Sequence, residues 1–211
     1  MTRAALAGAA LGIVFIATAA RAEAPAPLRV ISPIFSQLVM FSMPASFVAV
    51  TEGTRGPSYI REAVPKGETT DRWTQMITVT GAKGAAGTPG VSPQSFAASI
   101  AGGFKAACPG TFAVKGLGEA KFGDHDAFVA VAGCGRVEGS PDKHSETALI
   151  AVVKGSSDYY TLQWAERSAP VDTPGIDDAK WQQRIGLLQP IRLCPIVPGE
   201  AAPYPSCAGK N

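Results

Sequence analysis

Alternation of apolar and polar residues dominates the middle of this chain and predicts strands. Residues 73–80 (Trp-Thr-Gln-Met-Ile-Thr-Val-Thr) are the clearest case, with Trp73, Ile77 and Val79 expected on one face and Thr74, Thr78 and Thr80 on the other. Upstream, 47–51 and 59–64 are β-rich, and turn clusters at 52–57 and 65–68 set them apart. Residues 28–43 are mixed apolar and give no clear period. A helical period follows the strands: Phe96, Ile100, Phe104 and Cys108 recur at four-residue steps. Ser92 is placed to cap that helix, Pro93 suits its first turn, and Pro109-Gly110 stops it.

Strand patterns return at 111–121 (weakened by Gly116 and Gly118), 127–134, 146–154 and 158–167. Residues 127–134 are apolar on both faces, which predicts a central strand. In 158–167, Tyr160, Leu162 and Trp164 face one way and Thr161, Gln163 and Arg167 the other, which predicts one wet face. Gly155-Ser156-Ser157 between the last two strands is a hairpin turn. A second amphipathic helix is expected over 177–188, with Trp181, Ile185 and Leu188 inward. The order is three strands, a helix, four strands and a helix. It predicts an α+β fold: an antiparallel sheet of about six to seven strands flanked by helices as an α/β/α sandwich.

The N-terminus adds a destination. Met1-Thr2-Arg3, the uncharged run 4–20 and the small-x-small triplet Ala20-Arg21-Ala22 have the order of a secretory signal peptide, cleaved after Ala22. The run is shorter and more alanine-rich than the roughly 20 strongly apolar residues of a membrane span. Cleavage would remove Arg3 and Arg21 from the 19 basic residues and leave them equal in number to the 17 acidic ones. A neutral surface without a Lys/Arg cluster excludes nucleic acid and anionic lipid as expected partners. The expected organisation is a signal peptide (1–22), an extended N-terminal segment (23–46), one α+β domain (47–188) and a proline-rich tail (189–211).

Four cysteines in an exported chain predict two disulfides. Cys108 ends the helix stripe and Cys134 ends the central strand, so they are expected to pair. Cys194 and Cys207 bracket the tail and are expected to close it. Zinc and thiol redox chemistry are not expected, because there is no C-x-x-C and neither His125 nor His144 stands in a ligand-like pair.

The order of elements over residues 47–188 resembles the PsbP-like family, the photosystem II extrinsic-subunit-like domains and their bacterial relatives. That resemblance implies a central antiparallel sheet flanked by helices and an accessory or adaptor role without catalysis. It carries no functional residue onto this chain.

Candidate chemistry is sparse. Gly123-Asp124-His125-Asp126 sets a histidine between two carboxylates, which could orient a base in a hydrolase or could simply be a polar turn. Lys143-His144-Ser145-Glu146 holds Ser, His and an acid side by side, but triad members must converge from separate segments. Ser140-Pro141-Asp142-Lys143 matches S-x-x-K without its companion boxes, and no dinucleotide or phosphate loop is present. Trp73, Tyr159, Tyr160 and Trp164 read as core rather than as the floor of a ligand groove. The expected function is therefore an exported, periplasmic or secreted, non-catalytic accessory or binding protein with no cofactor and no metal. Its partner would be a protein or envelope component, and the alternative is a hydrolase using His125 with a nearby carboxylate. Recognition is expected at the glycine-rich loop 81–90 or at the loop 139–145.

Overall fold

The structure, a computed structural model, describes residues 26–176 and 179–209. The expected signal peptide and its cleavage point lie outside these residues, as do Asp177 and Asp178 at the expected start of the second helix. The strands in chain order are β1 (Leu28–Ile34), β2 (Gln37–Met43), β3 (Phe47–Arg55), β4 (Ser58–Pro65) and β5 (Gln75–Ala82). Helix α1 (Pro93–Ala107) follows, then β6 (Phe112–Phe122), β7 (His125–Cys134), β8 (Ser145–Lys154), β9 (Tyr159–Ser168), α2 (Lys180–Leu188), β10 (Arg192–Pro195) and the single turn α3 (Pro205–Ala208).

Seven of these strands form one antiparallel sheet in the order β3-β4-β5-β9-β8-β7-β6, so the α+β antiparallel architecture is present. Alternation decides its two faces. On the inner face Leu149, Ala151, Val153, Leu162, Trp164, Ile77 and Val79 build the largest core cluster, closed by a second sheet of order β1-β2-β10 and by α2. The flank opposite α1 is thus shared between a helix and three strands. On the outer face Ala132, Ala148, Ile150, Val152 and Tyr159 pack beneath α1.

Residues 28–43 are a hairpin whose second strand, β2, is buried along its whole length. Val39, Phe41 and Met43 face the seven-stranded sheet, while Leu38 and Met40 face the tail. A strand buried on both sides reads as a continuous apolar run, and each such side chain contributes roughly 1.5–3 kcal/mol of burial. The tail closes that outer layer: Cys194 lies on β10, Cys207 on α3, and they form a disulfide with Cα atoms 5.6 Å apart. Cys108 and Cys134 form the other, also with Cα atoms 5.6 Å apart.

Four local expectations are corrected. The cluster 52–57 is not all turn, because β3 continues to Arg55 and the reversal is confined to Gly56-Pro57. Trp73 precedes β5 and packs with Val64 and Met76 on the outer face, opposite Ile77 and Val79. In α1 the deepest line is Ala97 and Ala101, with Phe96, Ile100 and Phe104 half-buried beside it; small residues let the helix lie close to the sheet. The second face of β9 is mostly dry, since Tyr159 and Thr161 are fully buried and only Gln163 and Arg167 keep partial exposure. Residues 127–134 do run in the sheet interior, although β9 occupies the middle position.

Candidate functional site

Ser92 caps α1 by accepting from the Ser95 N–H, while Ser95 Oγ accepts from the Ser92 N–H, so the helix start is fixed. From there α1 lies chiefly over β6, β7 and β8, and Phe96 extends it onto Tyr159 of β9. Among the described residues the outer face of β3, β4 and β5 is covered only in part: Trp73 closes over Val64 and Met76, while Ile60 stays open. A trough runs there along the flank of the helix. At one end it opens into a cavity of about 630 Å³ between Phe96 and Ile100 of α1 and Ile60, Thr80 and Ala82 of the sheet, with Arg55 at the rim. Gln163 on the floor is shared with a hollow of about 350 Å³ beside Glu62, Thr78, Met76 and Phe104. That hollow shares Trp73 and Arg167 with a third cavity of about 630 Å³ towards His144.

The floor is preset by hydrogen bonds. Thr80 and Thr161 join hydroxyls at 2.7 Å, and Gln163 Nε2 donates to Thr161 Oγ1 at 3.3 Å. Phe96 stacks on Tyr159 with ring centroids 4.8 Å apart, which fixes one wall. Ile60 stands 39% exposed although β4 lies inside the sheet, between β3 and β5. Ile60 opens into the same cavity as Phe96 and Ile100.

The His144 end is held by a stacked pair. The Arg167 guanidinium lies 3.7 Å from the Trp73 ring centroid, and its Nε donates to Glu146 Oε2 at 3.1 Å. His144 Nδ1 meets the Asp142 carbonyl at 2.6 Å, and its Nε2, 3.5 Å from Glu146 Oε2, has no hydrogen-bond partner among the described residues. Ser145, the neighbour in sequence, is buried with its Oγ donating to the Cys134 carbonyl at 2.8 Å. Period-2 alternation therefore separates the serine from the histidine and the acid, and no nucleophile–base pair forms.

The glycine-rich loop 81–90 is fastened along its first half. Gly81 is the last-but-one residue of β5, where a Cβ would stand 2.6 Å from Ile34 Cγ2, so only glycine lets the two sheets approach there. Gly84 adopts φ +74° and donates its N–H to Asp158 Oδ1 at 2.7 Å, and Ala86 N–H donates to the Ser157 carbonyl at 3.1 Å. Asp158 is the centre of this knot. Its Oδ2 accepts from Ser36 Oγ at 2.6 Å, Ser36 N–H at 3.1 Å and Tyr160 OH at 3.1 Å. Burial alone would raise its carboxyl pKa, but these donors together outweigh it and hold the pKa below the ordinary value. Burial pushes the Tyr160 hydroxyl well above its usual range, so it stays a donor.

The His125 constellation does not converge either. His125 Nδ1 meets the Lys154 carbonyl at 3.0 Å, and Asp126 is tied to Lys121 at 2.8 Å on the exposed surface. No serine or carboxylate lies within hydrogen-bonding distance of the ring among the described residues. No cluster of three His, Cys, Asp or Glu is arranged for a metal among them. Tyr159, Tyr160 and Trp164 are core side chains, whereas Trp73 lines the trough. The trough itself was missed by reading the sequence, although Thr78 and Thr80, a polar face on an interior strand, were its signal.

No protein-family model matches this chain, and no curated protein matches it. Among solved structures, a mutant of protein Mog1 superposes with a TM-score of 0.45 at 11% identity, covering 76% of this chain and 84% of that one. The Saccharomyces cerevisiae Ran-binding protein Mog1p gives 0.43 at 9% identity, over 75% and 84% of the two chains. LpqN, involved in cell envelope biogenesis of Mycobacterium tuberculosis, gives 0.40 at 12% identity, over 81% and 91%. No residue role or function is transferred from them.

Proposed function

We propose that this chain is an exported, non-catalytic binding module of the PsbP-like type, working in the periplasm or outside the cell, and that it holds its ligand or partner in the trough beside α1. One observation carries the reading: beside α1 the outer face of the seven-stranded sheet keeps an open trough, lined by apolar and hydrogen-bonding side chains. Of the polar clusters that could have signalled catalysis, His125 and Ser145 are held at main-chain carbonyls, and His144 lines the far end of the trough apart from Ser145. A concave site of several hundred Å³ with a few placed polar groups on a rigid scaffold is the usual form of a binding pocket. Two disulfides support export, because such bonds persist in oxidising compartments. The order of elements supports the PsbP-like assignment.

Ile60→Arg combined with Ser99→Arg fills the trough with charge from two exposed positions. The immobilised mature protein is expected to retain a defined component from an envelope extract, and the double variant is expected to lose it at an unchanged melting temperature. Equal retention by both overturns the trough as the site. His125→Ala is expected to retain the component fully; loss of an activity on that substitution would favour the hydrolase alternative.

A further inference from the structure

We infer that the Arg55 end of the trough binds a single-chain amphiphile with a carboxylate head, a free fatty acid. This rests on the reading of the trough as a binding site and names what enters it. Strand register is the first support. Gly53 pairs with Ile60 and Arg55 with Ser58, so Arg55 and Ile60 project on the same outer face, above the same cavity. Among the described residues Arg55 is the single charged one lining that cavity, so the charge it complements is one negative charge.

The apolar part has its own wall. Ile60 at 39% exposure faces Phe96 and Ile100 across the cavity, and Ala82 leaves space on the floor. An alkyl chain laid between them removes these side chains from water, while Thr80 and Gln163 keep the hydrogen bonds they already make. A helical partner fits less well, because it would cover Glu62 and Thr78 further along the trough without offering them partners. A diphosphate or sulfate-rich head fits less well too, since one guanidinium matches one carboxylate in a fork of two hydrogen bonds.

Isothermal titration of the full mature chain with sodium dodecanoate tests this, with dodecyl maltoside and dodecyltrimethylammonium as neutral and cationic arms, all below micelle formation. Dodecanoate is expected to bind at one site and to bind most tightly of the three. Arg55→Gln should weaken dodecanoate by about tenfold, as loss of a charge-assisted fork does, and leave the neutral arm unchanged. Ile60→Glu should abolish binding of dodecanoate at an unchanged melting temperature. No dodecanoate binding, equal binding of all three amphiphiles, or indifference to Arg55→Gln each overturns the proposal. If one of those outcomes accompanies trough-dependent retention from the envelope extract, the trough remains the site and the fatty acid is wrong. If dodecanoate binds and Ile60→Glu does not reduce it, both fall.

Discussion

The two faces of the seven-stranded sheet are built from the same strands and end in opposite conditions. On the inner face Leu149, Leu162 and Trp164 are at most 1% exposed beneath β2 and α2. On the outer face Ile150 and Val152 are equally closed under α1, but Ile60, three strands away on β4, stands 39% exposed. Cover decides the difference, and composition does not: the same period-2 alternation supplies both faces. Among the described residues the β1-β2-β10 sheet and α2 cover one side, whereas the other carries α1 with Trp73 and the 85–91 segment beside it. The half that remains open carries threonine, glutamine and glutamate among its apolar groups, as a surface in contact with water must.

Removing cover-dependent packing should therefore cost most on the inner face. Leu149→Ala is expected to destabilise the protein by about 3–4 kcal/mol, because the site is fully enclosed and cannot collapse around the missing methyl groups. Urea unfolding measures it through a lower midpoint at unchanged slope. A loss below about 1 kcal/mol would mean that the inner core is loosely filled and the contrast between the faces is false.

The join between the layers gives the next largest effect. Asp158→Asn is expected to cost about 2 kcal/mol at neutral pH, the range for bonds to a buried charge left unmade. The folded-state pKa of Asp158 is lowered, so its ionised form stabilises the protein above the unfolded-state pKa of about 3.9. That contribution is lost as pH falls through the folded value. Unfolding series at pH 7 and in the acid range should thus show the gap between wild type and variant shrinking below about pH 4. A gap that stays constant with pH would show that the carboxylate is not what ties β1 and β2 to the seven-stranded sheet.

All seven strands of that sheet were legible from residues 47–167, from alternation or, at 127–134, from a short apolar run, each bounded by turn signals. β2 was not: Val39 and Met40 are buried on opposite sides, so it has no period, and unlike 127–134 it carries no run of β-branched residues between clear turn signals. Trp73 was placed on the wrong face for a different reason: it precedes the first ladder pair at Gln75, where the backbone is no longer bound to alternate. The paired cysteines were legible from where the helix and the central strand end. The Asp158 knot was not, because Ser36 lies 122 residues away in sequence and only the folded layers bring them together. The trough needed one further quantity, how far α1 reaches across the sheet, and no pattern within the helix encodes that.

The smallest effect on stability should come from the open half, and it sharpens the comparison most. Ile60→Ser removes a large apolar side chain from an interior strand, a change that costs several kcal/mol where such a residue is enclosed. At 39% exposure Ile60 has little packing to lose, and its β4 hydrogen bonds to β3 and β5 belong to the backbone. Its side-chain contacts lie towards the cavity shared with Phe96 and Ile100, so truncation enlarges an open space and creates no enclosed void. The expected change is within about 0.5 kcal/mol by urea unfolding. Binding in the trough should fall at the same time, because the wall opposite α1 has gone. A destabilisation near that of Leu149→Ala would mean that Ile60 is covered in solution, by a second copy or by the chain's own N-terminal residues. In that case the melting curve would depend on protein concentration or on the presence of residues 1–25, which tells the two covers apart.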